Sequence, residues 1–380
     1  MDITAYLQLM VEKDASDLFF SAGAPVNIKL QGESHPVGNK SLTATEVHDV
    51  VWSILNDEQI AAFERDLELN LAISVAKLGR FRINVFRQRG ETAMVVRYIK
   101  NKIPSIEELG LPEILKQLIM EKQGLILVVG STGSGKSTTL ASMVNYRNEN
   151  KPGHILTIED PIEFVHEHKK SVVDQREVGL DTHSYEEALK NAMREAPDVI
   201  VIGEIRDQET MRHALHYAET GHVCLSTLHA NNANQTLERV INFFPDSAHQ
   251  ALLLDLAQHL KAIISQRLIP AVKGKRVPAV EILLNTPFIS DLIEKSRINE
   301  IKDAMEQGKF GGMQTFDQSL YNLFKAGKIS VEEALQHADS RNNLRLRLRL
   351  ENPGQFQSPE KLEMGEDGEE EKPIYQPKHR

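Results

Sequence analysis

The sequence predicts an α/β protein in two parts: an α+β module over residues 1–100, then an α/β domain on a parallel sheet with a helical C-terminal extension. Three observations carry this. From Gly124 onward, apolar runs without alternation (125–129, 154–159, 199–203 and 222–227) are each followed by a helix-length segment, the pattern of parallel strands buried on both faces. Before residue 100, short alternating stretches (25–30 and 81–86) mix with helix-period stretches (45–55 and 57–65). Between the two, Pro104, Gly110 and Pro112 break the pattern, which marks a linker at 101–112.

The second part, expected over 113–340, opens on the helical stretch LPEILKQLIMEKQG and the strand LILVV. Directly after that strand stands GSTGSGKS, residues 130–137, which fits the phosphate-binding pattern G-x-x-x-x-G-K-[ST]. Its glycines let successive N–H groups and the next helix N-terminus point at phosphate oxygens. Lys136 then neutralises β- and γ-phosphate charge, and the Ser137 hydroxyl reaches Mg²⁺. The next strand ends in TIEDPIE, three carboxylates in five positions, suited to position an attacking water or to form a solvated acidic loop. The run VIVIGE, 199–204, delivers Glu204 at a strand end, where an acid beside a phosphate loop holds Mg²⁺ through water. His222 and His229 bracket the strand GHVCLSTLH, and with His213 and His216 they do not fit a zinc signature.

After Pro245 the pattern reads as mostly helical (248–262, 287–294, 298–307, 315–326 and 331–338). Leucine and arginine alternate over 344–350, as in a half-buried terminal strand or a basic contact strip, and a largely disordered acidic tail is expected over 341–380. Arginines 80, 82, 87, 89 and 97 form the densest basic patch before the phosphate loop; composition alone makes that a solvated surface.

Composition narrows the class. A net charge of −10 argues against a protein that coats nucleic acid, and no apolar run approaches the ~20 residues of a membrane-crossing helix. One cysteine, Cys224, and a first segment without the features of a secretory signal point to a reducing, cytoplasmic setting.

Taken together, GSTGSGKSTTLASMV, TIEDPIEFVHEHKKSVVDQREVG, REAPDVIVIGEIRD and ETGHVCLSTLHANNA closely resemble the bacterial secretion ATPases of the type IV pilus retraction branch, the PilT/PilU family. The resemblance extends from Asp14 to Ala338 and includes GMQTFDQSL at 312–320. It implies a PAS-like N-terminal domain, a RecA-like P-loop domain and a homohexameric ring with ATP sites between the two domains. It assigns ATP contacts to Gly130, Ser131, Thr132, Gly133, Ser134, Gly135, Lys136, Ser137 and Thr138, and Mg²⁺ contacts to Ser137 and, through water, Glu204. Catalytic roles fall on Glu159, Glu163, Glu204, His222 and His229, with Glu163 favoured as the base, and on Arg82 and Arg97 as phosphate-reaching arginines. The implied partners are PilT and an inner-membrane pilus platform protein, with no nucleic acid, at the cytoplasmic face of the pilus machine.

Two departures refine the resemblance. A single cysteine cannot build the tetracysteine zinc motif of extension ATPases. Where PilT carries Ala-Ile-Arg-Asn-Leu-Ile-Arg-Glu, this chain has FISDLIEK at 288–295, so both arginine positions become Ser290 and Glu294. That sets it nearer the PilU branch. The alternatives are an accessory subunit that depends on PilT and needs assembly more than turnover, and a RecA-like DNA motor.

Overall fold

The computed structural model describes residues 2–99, 102–274, 276–308 and 311–351. The first sheet contains β1 (Asp17–Phe20), β2 (Asn27–Leu30), β3 (Glu33–Pro36), β4 (Glu68–Val75), β5 (Gly79–Gln88) and β6 (Glu91–Ile99). It is antiparallel, in the order β3-β2-β1-β6-β5-β4. On β5 the period of two sends Phe81, Ile83 and Val85 into a core shared with Leu7, Met10, Val47, Val50 and Phe63 of the three covering helices. The same alternation turns Arg80 and Arg82 to the other face, with Arg97 of β6 directly opposite Arg82. Residues before β7 belong to the second core: Ile106, Leu111, Leu115 and Ile119 pack under it.

The second sheet contains β7 (Gly124–Val129), β8 (Gly153–Glu159), β9 (Ser171–Glu177), β10 (Val199–Ile202), β11 (Val223–Leu228), β12 (Leu260–Pro270) and β13 (Arg276–Leu284). Its order is β13-β12-β7-β11-β10-β8-β9, parallel except for the antiparallel edge β13. Every residue of β7 is buried. Ile126 and Val128 face the helices Ile114–Ile119 and Lys136–Asn150, while Leu125, Leu127 and Val129 face Tyr185–Ala192, Gln208–Glu219 and His249–His259. This two-sided burial is why the strands read as unbroken apolar runs. The C-terminal ends of β7, β8, β10 and β11 share one edge of the sheet, where an open α/β sheet presents its ligand crevice.

Two expectations are corrected. The helix expected over 248–262 ends at His259, and the chain then forms the β12–β13 hairpin. A run such as Leu260–Ile264, buried on both sides, carries no periodicity that separates strand from buried helix. The alternating segment is a helix, Arg341–Glu351, rather than a strand. Leucines 344 and 348 lie four apart on one helical face and pack with Phe316, Leu320 and Leu335, while Leu346 and Leu350 stay exposed. The acidic tail therefore begins beyond an ordered helix, and residues 352–380 lie outside the described residues.

Candidate active site

The phosphate loop, residues 130–135, joins β7 to the helix Lys136–Asn150. Gly135 has φ 89°, and a Cβ there would lie 2.8 Å from Gln266 Nε2, so the position needs glycine on both counts. Gln266, on β12, braces the loop: its Nε2 donates to Ser134 O at 2.8 Å and its Oε1 accepts from Thr139 Oγ1 at 2.6 Å. The helix after the loop opens without a side-chain cap, whereas Ser184, Asp207 and Asn232 cap later helices. Its first-turn N–H groups are left for an anion. Among the described residues, Ser134 Oγ in the same loop is buried without a partner.

Lys136 is nearly buried, and its Nζ donates to Gly130 O at 2.9 Å and Ser131 O at 3.1 Å. Burial pulls its pKa below the ordinary lysine value, opposed by the charges of Glu204 and Glu163. One cavity brings together Lys136, Ser137, Glu159, Glu163, Glu204 and His229. Glu204 Oε2 accepts from Arg206 Nε at 2.9 Å, and its Oε1 is 3.2 Å from His229 Nε2. Burial and the Lys136 charge hold the His229 pKa below its usual value, against the pull of Glu204.

The two acidic-loop glutamates differ. Glu159 Oε1 accepts from Thr157 Oγ1 at 2.6 Å and from Gln175 Nε2 at 3.1 Å, and burial pushes its pKa up. Glu163 is exposed to the cavity, on a loop that Gln175 holds by donating to Phe164 O at 2.9 Å and accepting from His166 N at 2.7 Å.

Thr132 and Gly133 also line this cavity, while Gly130, Ser131 and Ser134 line a cleft on the other side of the loop with Arg267 and Arg276. Thr138 sits in the first helical turn. His222 is not brought into the site. Its carbonyl accepts from Gly124 N at 2.9 Å at the start of β7, so the six residues of β11 separate it from His229 by ~20 Å. Arg97 is held by Asp17 Oδ1 at 2.8 Å, and neither Arg97 nor Arg82 lines the cavity.

The sequence pattern of the family described as "Type II/IV secretion system protein" matches residues 2–343. The chain belongs to that family. It is 52% identical to the type IV pilus ATPase PilU of Pseudomonas aeruginosa, over 92% of this chain and 92% of that protein. It is 44% identical to the type IV pilus retraction ATPase PilT of the same organism, over 89% of this chain and 98% of that one. The crystal structure of the pilus retraction motor PilT with bound ADP superposes with a TM-score of 0.85 at 40% identity, covering 91% of this chain and 99% of that chain. The two-module α/β class read from the sequence, with a RecA-like second domain, agrees with this likeness.

In this secretion-family chain, Gln175, Gln266 and Tyr185 complete the site, and sequence reasoning gave none of them a role. Tyr185 lines the cavity, burial raises its hydroxyl pKa, and a Cβ on Gly203 would meet its oxygen at 2.9 Å. Behind the His229 loop, buried Glu281 accepts from Ala233 N at 2.7 Å and Ser265 Oγ at 3.0 Å. Burial lifts its pKa from 4.5 to about 7, against those two hydrogen bonds. The folded protein therefore holds a proton that the unfolded chain has lost, and stability falls as pH rises from about 4.5 through 7. Denaturant unfolding at pH 5 and pH 8 should show Glu281→Gln gaining on wild type at the higher pH, by an amount on the order of 3 kcal/mol. Parallel pH profiles for the two proteins would refute this.

Proposed function

We propose that this chain is an Mg²⁺-dependent, ATP-hydrolysing subunit of a hexameric motor that powers or assists type IV pilus retraction. By family it is an ATPase of the pilus-retraction type. The observation that carries the finer reading is the convergence of Lys136, Ser137, Glu163, Glu204 and His229 on one cavity at the C-terminal edge of the sheet.

The uncapped helix N-terminus and the loop amides would bind the ATP phosphates, and Lys136 would exchange its two loop carbonyls for β- and γ-phosphate oxygens. The donor set suits Mg²⁺: a hydroxyl on Ser137 and a carboxylate on Glu204, which would hold the ion that neutralises charge between the β- and γ-phosphates. Glu163 takes the proton of the attacking water, while Glu159, tied to Thr157 and Gln175, shapes the loop. His229 reports the γ-phosphate to Glu204. Arg82 and Arg97 reach phosphate only after the N-terminal sheet turns toward a nucleotide, which is how binding and hydrolysis rotate one domain against the other. Among the described residues no helix is long and apolar enough to cross a membrane. On the likeness to PilU and PilT, the link to the inner-membrane machine is assigned to a platform protein, with PilT as a second partner.

A second reading, an accessory subunit acting with PilT, is favoured by the helix Pro287–Glu294. It buries Ile289, Leu292 and Ile293, and Ser290 Oγ donates to Ala257 O at 2.8 Å within the chain. Glu294 is exposed, so a carboxylate stands where the family resemblance leads one to expect arginine. The test is steady-state ATP turnover and solution mass of the purified chain. Turnover abolished by EDTA, with the mass of six copies, is expected. EDTA-resistant turnover, or a monomer with nucleotide present, would contradict the proposal.

A further inference from the structure

Gln266 is buried on β12, and its side chain bridges the phosphate loop to the first turn of the helix that follows it. Ser134 O, which can only accept, faces the amide NH₂ of Gln266 at 2.8 Å, and the amide oxygen accepts from the Thr139 hydroxyl at 2.6 Å. One orientation of the amide satisfies both partners. Thr139 closes the bridge from its own side, because its backbone N–H donates to Gly135 O at 3.0 Å. The carbonyls of Ser134 and Gly135 are thus both taken, the first by Gln266 and the second by Thr139.

Holding Ser134 O also aims the next donor. The peptide joining Ser134 to Gly135 is planar and trans, so its N–H, which belongs to Gly135, points opposite to the carbonyl and away from Gln266. Gly135, with φ 89°, carries no side chain that would stop this peptide from turning over. The bridge therefore selects one of two orientations. Its support is firm: Arg267, next in the strand and on its other face, donates to His337 O at 2.9 Å and pairs with Asp339 at 2.8 Å. The first glycine of the loop packs against the same strand, since a Cβ on Gly130 would lie 2.5 Å from Gln266 O.

We propose that Gln266 is a positioning residue for nucleotide binding: by tying Ser134 O to Thr139 Oγ1 it turns the Gly135 N–H to the phosphate side of the loop before nucleotide arrives. This deepens the reading of residues 130–137 as a nucleotide phosphate loop and rests on it. A donor already aimed needs no rearrangement when the anion binds, so the effect falls on affinity. Without the bridge, fewer molecules present the Gly135 N–H to phosphate, and the apparent dissociation constant rises as that fraction falls.

The test is ADP binding with Mg²⁺, measured by calorimetry on the purified full-length protein, together with steady-state ATP turnover. Gln266→Met keeps the length of the side chain and removes both hydrogen bonds, and it should raise the ADP dissociation constant and the KM for ATP by about tenfold, with kcat within about threefold. Thr139→Val, which removes one bond, should weaken ADP by about threefold, and Thr139→Ser, which keeps the hydroxyl, should bind as wild type does. The double variant Gln266→Met/Thr139→Val should bind no more weakly than Gln266→Met alone, because both act on one bridge. Wild-type ADP affinity in Gln266→Met, a lower kcat at unchanged KM, or effects that multiply in the double variant would overturn the proposal. Should Gln266→Met fail to fold, the contrast between Thr139→Val and Thr139→Ser decides, and equal affinity in those two would overturn it. If ADP binding responds as expected but wild type has no turnover, the hydrolysis reading fails while the role of Gln266 stands.

Discussion

Lys136→Ala should lower ATP turnover by about 10²–10³-fold or more and leave the fold intact. Among the described residues the lysine Nζ hydrogen-bonds only to the Gly130 and Ser131 carbonyls of its own loop, so the substitution removes no hydrogen bond from the sheet core. Its pKa is depressed by burial, which means that folding works against the ammonium charge rather than gaining from it. The midpoint of thermal unfolding should therefore stay level or rise while activity is lost, the pattern of a group kept for chemistry rather than stability. Turnover and a melting curve on the same preparation check both halves. Near-normal turnover would remove the phosphate loop from the mechanism, and a collapsed melting curve would make the lysine structural.

Glu163→Gln carries the second large effect: a turnover loss of about 10²–10⁴-fold, with ATP affinity nearly unchanged. The amide keeps the shape of the side chain but cannot take a proton, and among the described residues the Glu163 side chain makes no hydrogen bond that holds the loop. Glu159→Gln should cost less, because Thr157 and Gln175 both donate to Oε1 and can still donate to an amide carbonyl oxygen placed there. Single-turnover hydrolysis with separately measured ATP binding distinguishes the two. A larger chemical defect in Glu159→Gln would transfer the role of base to the residue on β8.

What the sequence made legible is what is contiguous in it. The phosphate loop, the acidic loop and the strand ending at Glu204 each occupy a few consecutive residues, and a parallel sheet aligns their ends without further information. Gln175 and Gln266 were not legible, because their roles depend on which strands are neighbours. Gln175 reaches the acidic loop only because β9 pairs with β8.

Periodicity explains the remaining differences. His222 and His229 look like a pair in the sequence, but a strand between them puts them at opposite edges of the sheet. The alternation of leucine over 344–350 satisfies a strand and also a helix that buries only every second leucine, and the second solution fills the gap beside Phe316. The centre of the β12–β13 hairpin, 262–266 against 279–283, is buried on both faces, so nothing in its composition separates it from a core helix.

On the proposed function, this subunit's own ATP hydrolysis contributes to pilus retraction. The most direct measurement is retraction of fluorescently labelled pili in cells that lack the native copy and carry weakened PilT, complemented with wild type or with Lys136→Ala. Rescue by wild type alone is the expected result. Equal rescue by both would contradict the claim and make the chain a docking partner whose phosphate loop does no work.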